Sequence, residues 1–494
     1  MRILLFIFAF ALSAQATTYY VDFSAANDSA NGLATSTPWK RAPGMTGFTG
    51  TYSHNNGDVF IFKGGETWTS AVYPWTIANS GGSSATLDTY TTDRTWYSGG
   101  SFVQPKFNAQ STEPSGGMLN GTSKSHLKFN DLWFANYGTT MVAGTGANGI
   151  NFVDGQNITF NGCTLEMYCQ RAMYIHFDAV GTYTNFVFTS NAVSHVASML
   201  WFASSTGTIK RDGLTIAYNT LFDGNTQIGD AVHGDGLLHS FSVPNNSSSQ
   251  VVTNVLIHNN YCYGDWRRTF GVDGAMTAFI FFEDYCYAKI YNNVFAPYPV
   301  EASMFDAFIA IGGSTPLSVC KVELYNNTLL NPGANSASAG IHFTLTGAGN
   351  AAYMTNNIID GLTYAIYQEN TAGTTATDYN CFDSGSGQLV YGASFQSYAT
   401  WQAAGRDASS VLGSDPVFVD ATGPTFDLGL QTSSPAKDTG RAIDNRTVDF
   451  IGTIVPQGSA ADMGAYEYVT PATSYRGFQF GSGAKLIGPG SIRQ

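Results

Sequence analysis

Short runs of alternating apolar and polar residues recur along the middle of the chain, and each run leads into an asparagine or a small polar residue. Examples are ITFNGCTL, VLIHNNYCY and VELYNNTLL. Alternation with a period of two predicts β-strands with one buried face. Further runs of the same kind are LKFNDLWF, FVFTSNAVS, LTIAYNTLF, AKIYNNVFA, AYMTNNIID and TDYNCF. The chain is therefore predicted to consist of many short strands.

Aligning these runs gives one shared position per repeat, with spacings of 23 to 41 residues. A unit of about thirty residues without helical periodicity cannot bury its apolar face alone, so it must stack on its neighbours. We therefore predict an all-β fold, a single-stranded parallel β-helix. A β-propeller is the alternative, but the Asn-Gly and Asp-Gly hairpin turns that it needs are missing at fixed offsets. The shared position is occupied by Asp131, Gly162, Asn191, Asn219, Asn260, Asn293, Asn327, Asn357 and Asn380.

Asparagine suits this repeated position. It tolerates the left-handed backbone region at a tight turn, and its amide can hydrogen-bond to the Asn of the next rung. The repeats thus predict an internal amide ladder.

The same register aligns two cysteines. Cys286 and Cys320 each precede a ladder Asn by seven residues, in CYAKIYNN and CKVELYNN. We expect their Cα atoms about 5 Å apart in the core, as buried free thiols more often than as a disulfide.

Composition supports a folded chain with a polar surface of low charge. Aromatic residues make up 14% of the 494 residues, enough for a large core, whereas charged residues make up only 12% against about 25% in average proteins. The net charge is −13 and basic residues do not cluster in a long stripe. Nucleic acid is therefore not an expected partner.

The chain begins with a pattern typical of export. A positive start is followed by an apolar run too short to span a membrane and by the small-x-small sequence Ala14-Gln15-Ala16. We predict a signal peptide over 1–16, a β-helix with an N-terminal cap over 17–469, and a Gly/Ser/Pro-rich tail over 470–494. Residues 382–470 are expected to form irregular closing rungs. The protein is expected to be secreted or periplasmic and monomeric, without a transmembrane segment.

The sequence resembles a known group at both ends of the repeats. The segments YYVDFSAANDSANGLATSTPWK and GDVFIFKGGETW, and later SDPVFVD, SSPAKDTG and DMGAYEY, are similar to those of secreted right-handed parallel β-helix proteins of the pectate-lyase-like superfamily. The resemblance covers most of residues 18–468 and implies a right-handed coil. It concerns the scaffold and leaves the substrate open.

Candidate chemistry concentrates in turns that follow the short strand after each ladder position. Those turns, LEMYCQR, FDGNTQIGDAVHGDG, GDWRRTFGVDG and PYPVEASMFD, are predicted to line one side of the stack. Asp230, His233, Asp235 and His239 place two carboxylates and two imidazoles within ten residues, a set suited to acid–base chemistry. The alternative is a surface turn that uses Asp and Gly for its geometry.

The next rungs add further candidates. Arg267 and Arg268 offer a fork for a carboxylate and are predicted with the first four as catalytic residues, while Trp266 offers a face for a sugar. Glu283 and Glu301 are expected to supply further carboxylates for the substrate, and Asp284 is another candidate carboxylate. Arg171 aligns near Asp235 and is expected to pair with it or to contact substrate. Asp230, Asp235 and Asp306 form a candidate calcium site, the one cofactor expected.

These residues favour an enzyme that cleaves a polysaccharide in a groove along the β-helix. β-Elimination from a uronic-acid-containing glycan is favoured, with an Arg or His taking the C5 proton and a cation or Arg facing the carboxylate. Hydrolysis by two carboxylates is one alternative. A non-catalytic glycan-binding, adhesive or surface protein is the other. The Asp-Asp and Arg-Ile-Lys signatures of polygalacturonase-type hydrolases are missing, and no lyase motif is matched.

Overall fold

Most of the described strands are short, and nearly all of them pair in parallel. The computed structural model describes residues 15–138, 148–205, 208–224, 234–242, 251–266, 276–298, 307–312, 320–332, 339–344, 349–371, 374–392, 394–444 and 446–470. The predicted signal peptide over 1–16 and the tail from 470 lie almost wholly outside these residues. So does most of every predicted turn except LEMYCQR.

The described strands follow one another with few other elements, a 3-10 turn over Ser70–Val72 and the helix α1 over Tyr398–Ala403. In chain order the strands are β1 (Thr18–Val21), β2 (Val59–Gly64), β3 (Thr67–Trp68), β4 (Trp75–Thr76), β5 (Asp88–Tyr97), β6 (Lys106–Thr112), β7 (Leu119–Asn120), β8 (Leu127–Asn130), β9 (Trp133–Tyr137), β10 (Asn148–Val153), β11 (Ile158–Asn161), β12 (Thr164–Phe177), β13 (Gly181–Thr189), β14 (Ala192–Ser204), β15 (Ile209–Ala217), β16 (Thr220–Phe222), β17 (Gly234–Ser242), β18 (Val251–His258), β19 (Tyr261–Gly264), β20 (Met276–Phe282), β21 (Tyr285–Tyr291), β22 (Val294–Pro297), β23 (Ala307–Ile311), β24 (Cys320–Tyr325), β25 (Thr328–Leu330), β26 (Ala339–Phe343), β27 (Ala351–Thr355), β28 (Ile358–Asp360), β29 (Tyr364–Gln368), β30 (Thr374–Asp378), β31 (Cys381–Asp383), β32 (Gln388–Tyr391), β33 (Ser394–Ser397), β34 (Val411–Leu412), β35 (Phe418–Asp420) and β36 (Asp427–Leu430).

These strands form a parallel β-helix with three faces. The first face is a 12-stranded sheet from β1 to β30, in which each strand pairs with its counterpart one rung later. The second and third faces run along β16–β19–β22–β25 and along β17–β20–β23–β26. They join into one 22-stranded sheet because β12 and β14 are long enough to belong to both. The predicted all-β solenoid is confirmed.

An amide ladder runs inside the coil, as predicted. The Nδ2 of Asn260 donates to the Oδ1 of Asn293 at 2.9 Å, and the backbone N–H of Asn260 donates to the same oxygen at 3.1 Å. The same pair of bonds links every step from Asn191 to Asn380. All the ladder side chains are buried. Each amide is therefore satisfied in the dry interior.

The ladder register was wrong by one residue at its N-terminal end. Cys163, not Gly162, occupies the position below Asn191, because its backbone N–H donates to the Oδ1 of Asn191 at 3.0 Å. In the rung before, Leu132 and not Asp131 lies at this position. The interior amide ladder therefore begins at Asn191.

The left-handed backbone conformation also lies one residue earlier than predicted. It belongs to the residue that precedes the ladder position, with φ between 51° and 66° in each rung. Asn and Asp adopt this conformation more readily than most residues, which explains the Asn-Asn pairs. The residues in this conformation are Asp131, Gly162, Ser190, Tyr218, Asn259, Asn292, Asn326, Asn356 and Tyr379.

The C-terminal segment over 414–468 runs back along the outside of the coil. Asn326 Nδ2 donates to the backbone oxygens of Asp462 and Gly464, and Asn259 Nδ2 to that of Phe450. Phe418 and Met463 belong to a second apolar cluster that covers the outer side of β22, β25 and β28. The expectation of closing rungs over 382–470 is therefore wrong beyond β34.

The two aligned cysteines confirm the strand register in the middle of the coil. Cys286 and Cys320 are direct partners in the pairing of β21 with β24, and both are fully buried free thiols. Burial raises the pKa of the Cys286 thiol well above its usual value.

Candidate active site

A row of outward-facing side chains crosses the third face of the coil. Tyr174, Trp201, His239 and Phe281 are successive partners on β12, β14, β17 and β20. Their chain neighbours Met173, Leu200, Leu238 and Ile280 are fully buried in the main core. Because neighbouring strand residues point to opposite sides, burial of these four side chains in the core places the row on the outer surface.

His239 is the centre of this row. Its Nδ1 lies 2.9 Å from Oδ2 of Asp235, and its Nε2 lies 2.8 Å from Oε2 of Glu283. Its ring stacks on Phe281 at a centroid distance of 5.0 Å and meets the edge of Trp201 at 4.8 Å. The predicted candidates Asp235, His239 and Glu283 are thus brought together, with one carboxylate on each side of the imidazole.

The two carboxylates keep His239 protonated. Burial alone would lower its pKa, but the charge of Asp235 and the contacts with Asp235 and Glu283 outweigh burial and raise the pKa to about 9. At neutral pH His239 is therefore an imidazolium and not a base, contrary to one option that the sequence left open.

The backbone at Asp235 is irregular, and this irregularity allows the contact. Residues four apart in a regular strand are too far apart to touch. The pairing of β17 with β20 shifts register on both sides of Asp235, which shortens the path to His239. The backbone N–H of Asp235 donates to Oγ of Ser198. The contact of its carboxylate with Nδ1 is an ion pair without good hydrogen-bond geometry.

Arg171 supplies a cation beside these carboxylates. Its guanidinium lies 3.4 Å from the ring centroid of Trp201, and Nη1 donates to Oδ1 of Asn148 at 3.1 Å. Burial lowers its pKa to about 10, while Asp235 and other neighbours act in the opposite direction. Arg171 therefore interacts with Asp235 through its charge, as the effect of Asp235 on the pKa of Arg171 indicates. Among the described residues, the two side chains form no direct ion pair.

Several buried polar atoms of this face lack a hydrogen-bond partner within the described part of the chain. Such groups are uncommon in folded proteins, and each calls for a ligand, water or ion. Sequence reasoning named Arg171, Asp235 and His239 as candidates and missed Asn151, Gln170 and Trp201. The atoms are Oδ1 of Asn151, both amide atoms of Gln170, Nε of Arg171, Nε1 of Trp201, Nδ1 of His239 and the carboxylate oxygens of Asp235.

Three predictions need correction. The indole of Trp266 is 1% exposed, donates to the backbone oxygen of Tyr263 and packs against Phe279, so it is a core residue and not a sugar platform. Asp284 is also buried, in an ion pair with Arg211 inside the coil. The predicted turn LEMYCQR is part of the strand β12.

Other predicted site residues lie outside the described residues. They are Asp230, His233, Arg267, Arg268, Glu301 and Asp306.

The described residues do not fit a calcium site. Among them, no group of three or more His, Cys, Asp and Glu side chains could hold a metal ion. Asp235, the one described member of the predicted set, already faces the cation His239. A third positive charge is disfavoured there, so no step of the chemistry below uses a metal.

Comparison with known proteins yields fold similarity only. No family model and no curated protein matches the chain. The chain is a parallel β-helix. Among solved structures it is similar to pectate lyase Pel9A, with 15% identity over 92% of this chain and 97% of that one and a TM-score of 0.49. It is also similar to a rhamnogalacturonan lyase, with 13% identity over 84% and 97% and a TM-score of 0.35. Neither similarity indicates a substrate or a reaction.

In the described residues no helix is long and apolar enough to cross a membrane.

Proposed function

We propose that this protein is a secreted enzyme that cleaves a uronic-acid-containing polysaccharide by β-elimination on the third face of the coil. The observation that supports it is the set of buried polar atoms without partners around Arg171, Trp201 and Asp235. A sugar offers hydroxyl donors and acceptors for these atoms, and a uronate offers a carboxylate for the guanidinium.

The charges suit the elimination. Arg171 would bind the uronate carboxylate and stabilise the negative charge that develops when the C5 proton leaves. Asp235, whose oxygens lack hydrogen bonds, would take that proton, and the C5–H electrons would form the C4–C5 double bond. The C4–O bond breaks, and the leaving oxygen needs a proton. His239 would supply it through Glu283, whose side chain is 18% exposed while that of Asp235 is fully buried. After the product leaves, Asp235 would release its proton to water, and Nε2 of His239 would take up a proton through Glu283, which restores the starting state.

The test is an activity screen on pectate, alginate, xylan and glucans. Ultraviolet absorbance of unsaturated ends is measured separately from new reducing ends. We expect unsaturated ends on an acidic glycan, and a loss of at least about 100-fold in turnover for Asp235→Asn. Arg171→Gln should raise KM and lower turnover, because its charge acts in binding and in the transition state.

The matched control is Arg94→Gln. Arg94 is an exposed arginine that pairs with Asp131 near the N-terminal end of the coil. Its replacement should leave the activity unchanged. Equal losses for Arg94→Gln and Arg171→Gln would contradict a specific role of Arg171.

Hydrolysis is a second candidate, supported by the two carboxylates on opposite nitrogens of His239. It predicts new reducing ends without unsaturated ends. Binding of a glycan without either product would instead show a non-catalytic glycan-binding protein.

A further inference from the structure

An ion pair is buried inside the coil directly behind the candidate active site. Arg211 on β15 and Asp284, which follows β20, contact each other and are both fully buried. Ser240 on β17 donates to both oxygens of Asp284, at 3.2 and 3.1 Å. The surrounding interior is otherwise apolar, with Phe202 and Phe282 on the adjoining rungs.

This ion pair joins three of the four rungs that carry the outward row. Nη1 of Arg211 donates to the backbone oxygen of Phe202 at 2.7 Å and to that of Phe241 at 3.4 Å, while Nη2 contacts Asp284. One guanidinium therefore bridges β14, β17 and the end of β20.

Three residues of the network that Arg211 and Asp284 form are chain neighbours of outward members of the site. Phe202 follows Trp201, Ser240 follows His239, and Asp284 follows Glu283. A shift of one rung against the next would move both sets together, because the backbone connects them.

The pair is weak evidence for stability, because replacing a buried ion pair by apolar residues of similar size is often neutral or stabilising. In some proteins a buried ion pair instead defines one arrangement of the elements that it joins. We infer that Arg211 and Asp284 are positioning residues, which lock the three rungs so that Glu283 contacts His239. This inference rests on the proposed function only where activity is measured.

The test is the double variant Arg211→Met/Asp284→Leu. It removes one positive and one negative charge together, so the net charge at the site is unchanged. The single variant Arg211→Met would leave Asp284 buried without its partner and is expected to be strongly destabilised. The double variant avoids this problem.

The readout is the titration of the His239 imidazole followed by NMR in the folded protein. In the native chain His239 should titrate near pH 9, as its two carboxylate contacts require. In the double variant the midpoint should fall by at least about one pH unit, because the contact with Glu283 is loosened. The melting temperature should stay close to that of the native protein.

The matched control is Arg446→Met/Glu467→Leu. These residues form another buried ion contact, at 3.8 Å, in the C-terminal segment away from His239. This control should leave the His239 titration unchanged. A folded Arg211→Met/Asp284→Leu variant with an unchanged His239 midpoint would overturn the inference.

Activity separates this inference from the proposed function. If the double variant shifts the His239 midpoint, the positioning role stands even when no glycan is cleaved by the native protein. If the native protein is active, the double variant should lose turnover more than substrate affinity, since the carboxylate ligand Arg171 is untouched.

Discussion

At the scale of single residues, His239 makes the stability of the protein depend on pH. Its pKa is about 9 in the folded chain and about 6.5 in an unfolded one, so the folded state binds the proton more tightly. The resulting stabilisation is fully present below pH 6.5 and is lost as the pH rises through 9. This stabilisation is largest at the pH values at which His239 is protonated and both carboxylates are ionised.

The variant His239→Gln tests this linkage. At pH 6 it should unfold with a free energy lower than the native value by up to about 3 kcal/mol, and the difference should shrink towards pH 9. Urea unfolding of both proteins at several pH values measures it. Parallel curves for the two proteins would mean that His239 is not raised in pKa by Asp235 and Glu283.

At the scale of single elements, each ladder asparagine holds two rungs together. The Oδ1 of Asn293 accepts two hydrogen bonds from Asn260, and its Nδ2 donates to the backbone oxygen of Ile257. All these groups are buried, so none can turn to water. The ladder amides therefore supply hydrogen-bond partners for the buried backbone groups at the turn between two faces.

Asn293→Ala should therefore lower the free energy of unfolding by about 3 kcal/mol or more, since it leaves the buried backbone N–H of Asn260 without an acceptor and removes the buried bond to the oxygen of Ile257. Asn161→Ala is the matched control. Asn161 also bonds across rungs, to Asn130 and Thr189, but it is half-buried and water can replace the bonds. Its replacement should cost less than about 1 kcal/mol. Equal losses of unfolding free energy for the two variants in denaturant would show that burial of the ladder amides adds no stability.

At the scale of the whole molecule, the C-terminal segment completes the outer surface of the coil. The first Asn of each Asn-Asn pair points away from the ladder and binds the backbone of this segment, as Asn326 and Asn356 do. The segment shields Val294, Leu330 and Ile358, which would otherwise be exposed apolar side chains. It is therefore part of the folded domain.

Asn326→Gly should loosen this segment without disturbing the rungs. Glycine keeps the left-handed conformation at φ 54° but removes the two donated hydrogen bonds. Limited proteolysis followed by mass spectrometry should show faster cleavage within 414–468, while fragments of the coil stay intact. Asn161→Gly serves as the control for a loss of Asn elsewhere. An unchanged cleavage pattern would mean that these bonds do not hold the segment.

The sequence by itself determined the parallel coil, the Asn ladder from Asn191 onward and the pairing of Cys286 with Cys320. Period-two alternation fixes which side chains point inwards, and a repeat fixes which residues stack, so both are local properties of the chain. The ladder position was assigned to Gly162 and not to Cys163, because the left-handed residue that precedes the ladder position is also polar or small.

Only the tertiary structure decided how the site is assembled. The contact of Asp235 with His239 depends on an irregular register, which no periodic pattern encodes. Trp266 and Asp284 lie inside the coil although aromatic and acidic residues in a turn favour the surface, because packing against Phe279 and pairing with Arg211 stabilise them there. The return of the C-terminal segment joins Asn259 to Phe450 across 191 residues. Contacts over such separations depend on where the whole coil places its surface, and a local pattern contains no information about that.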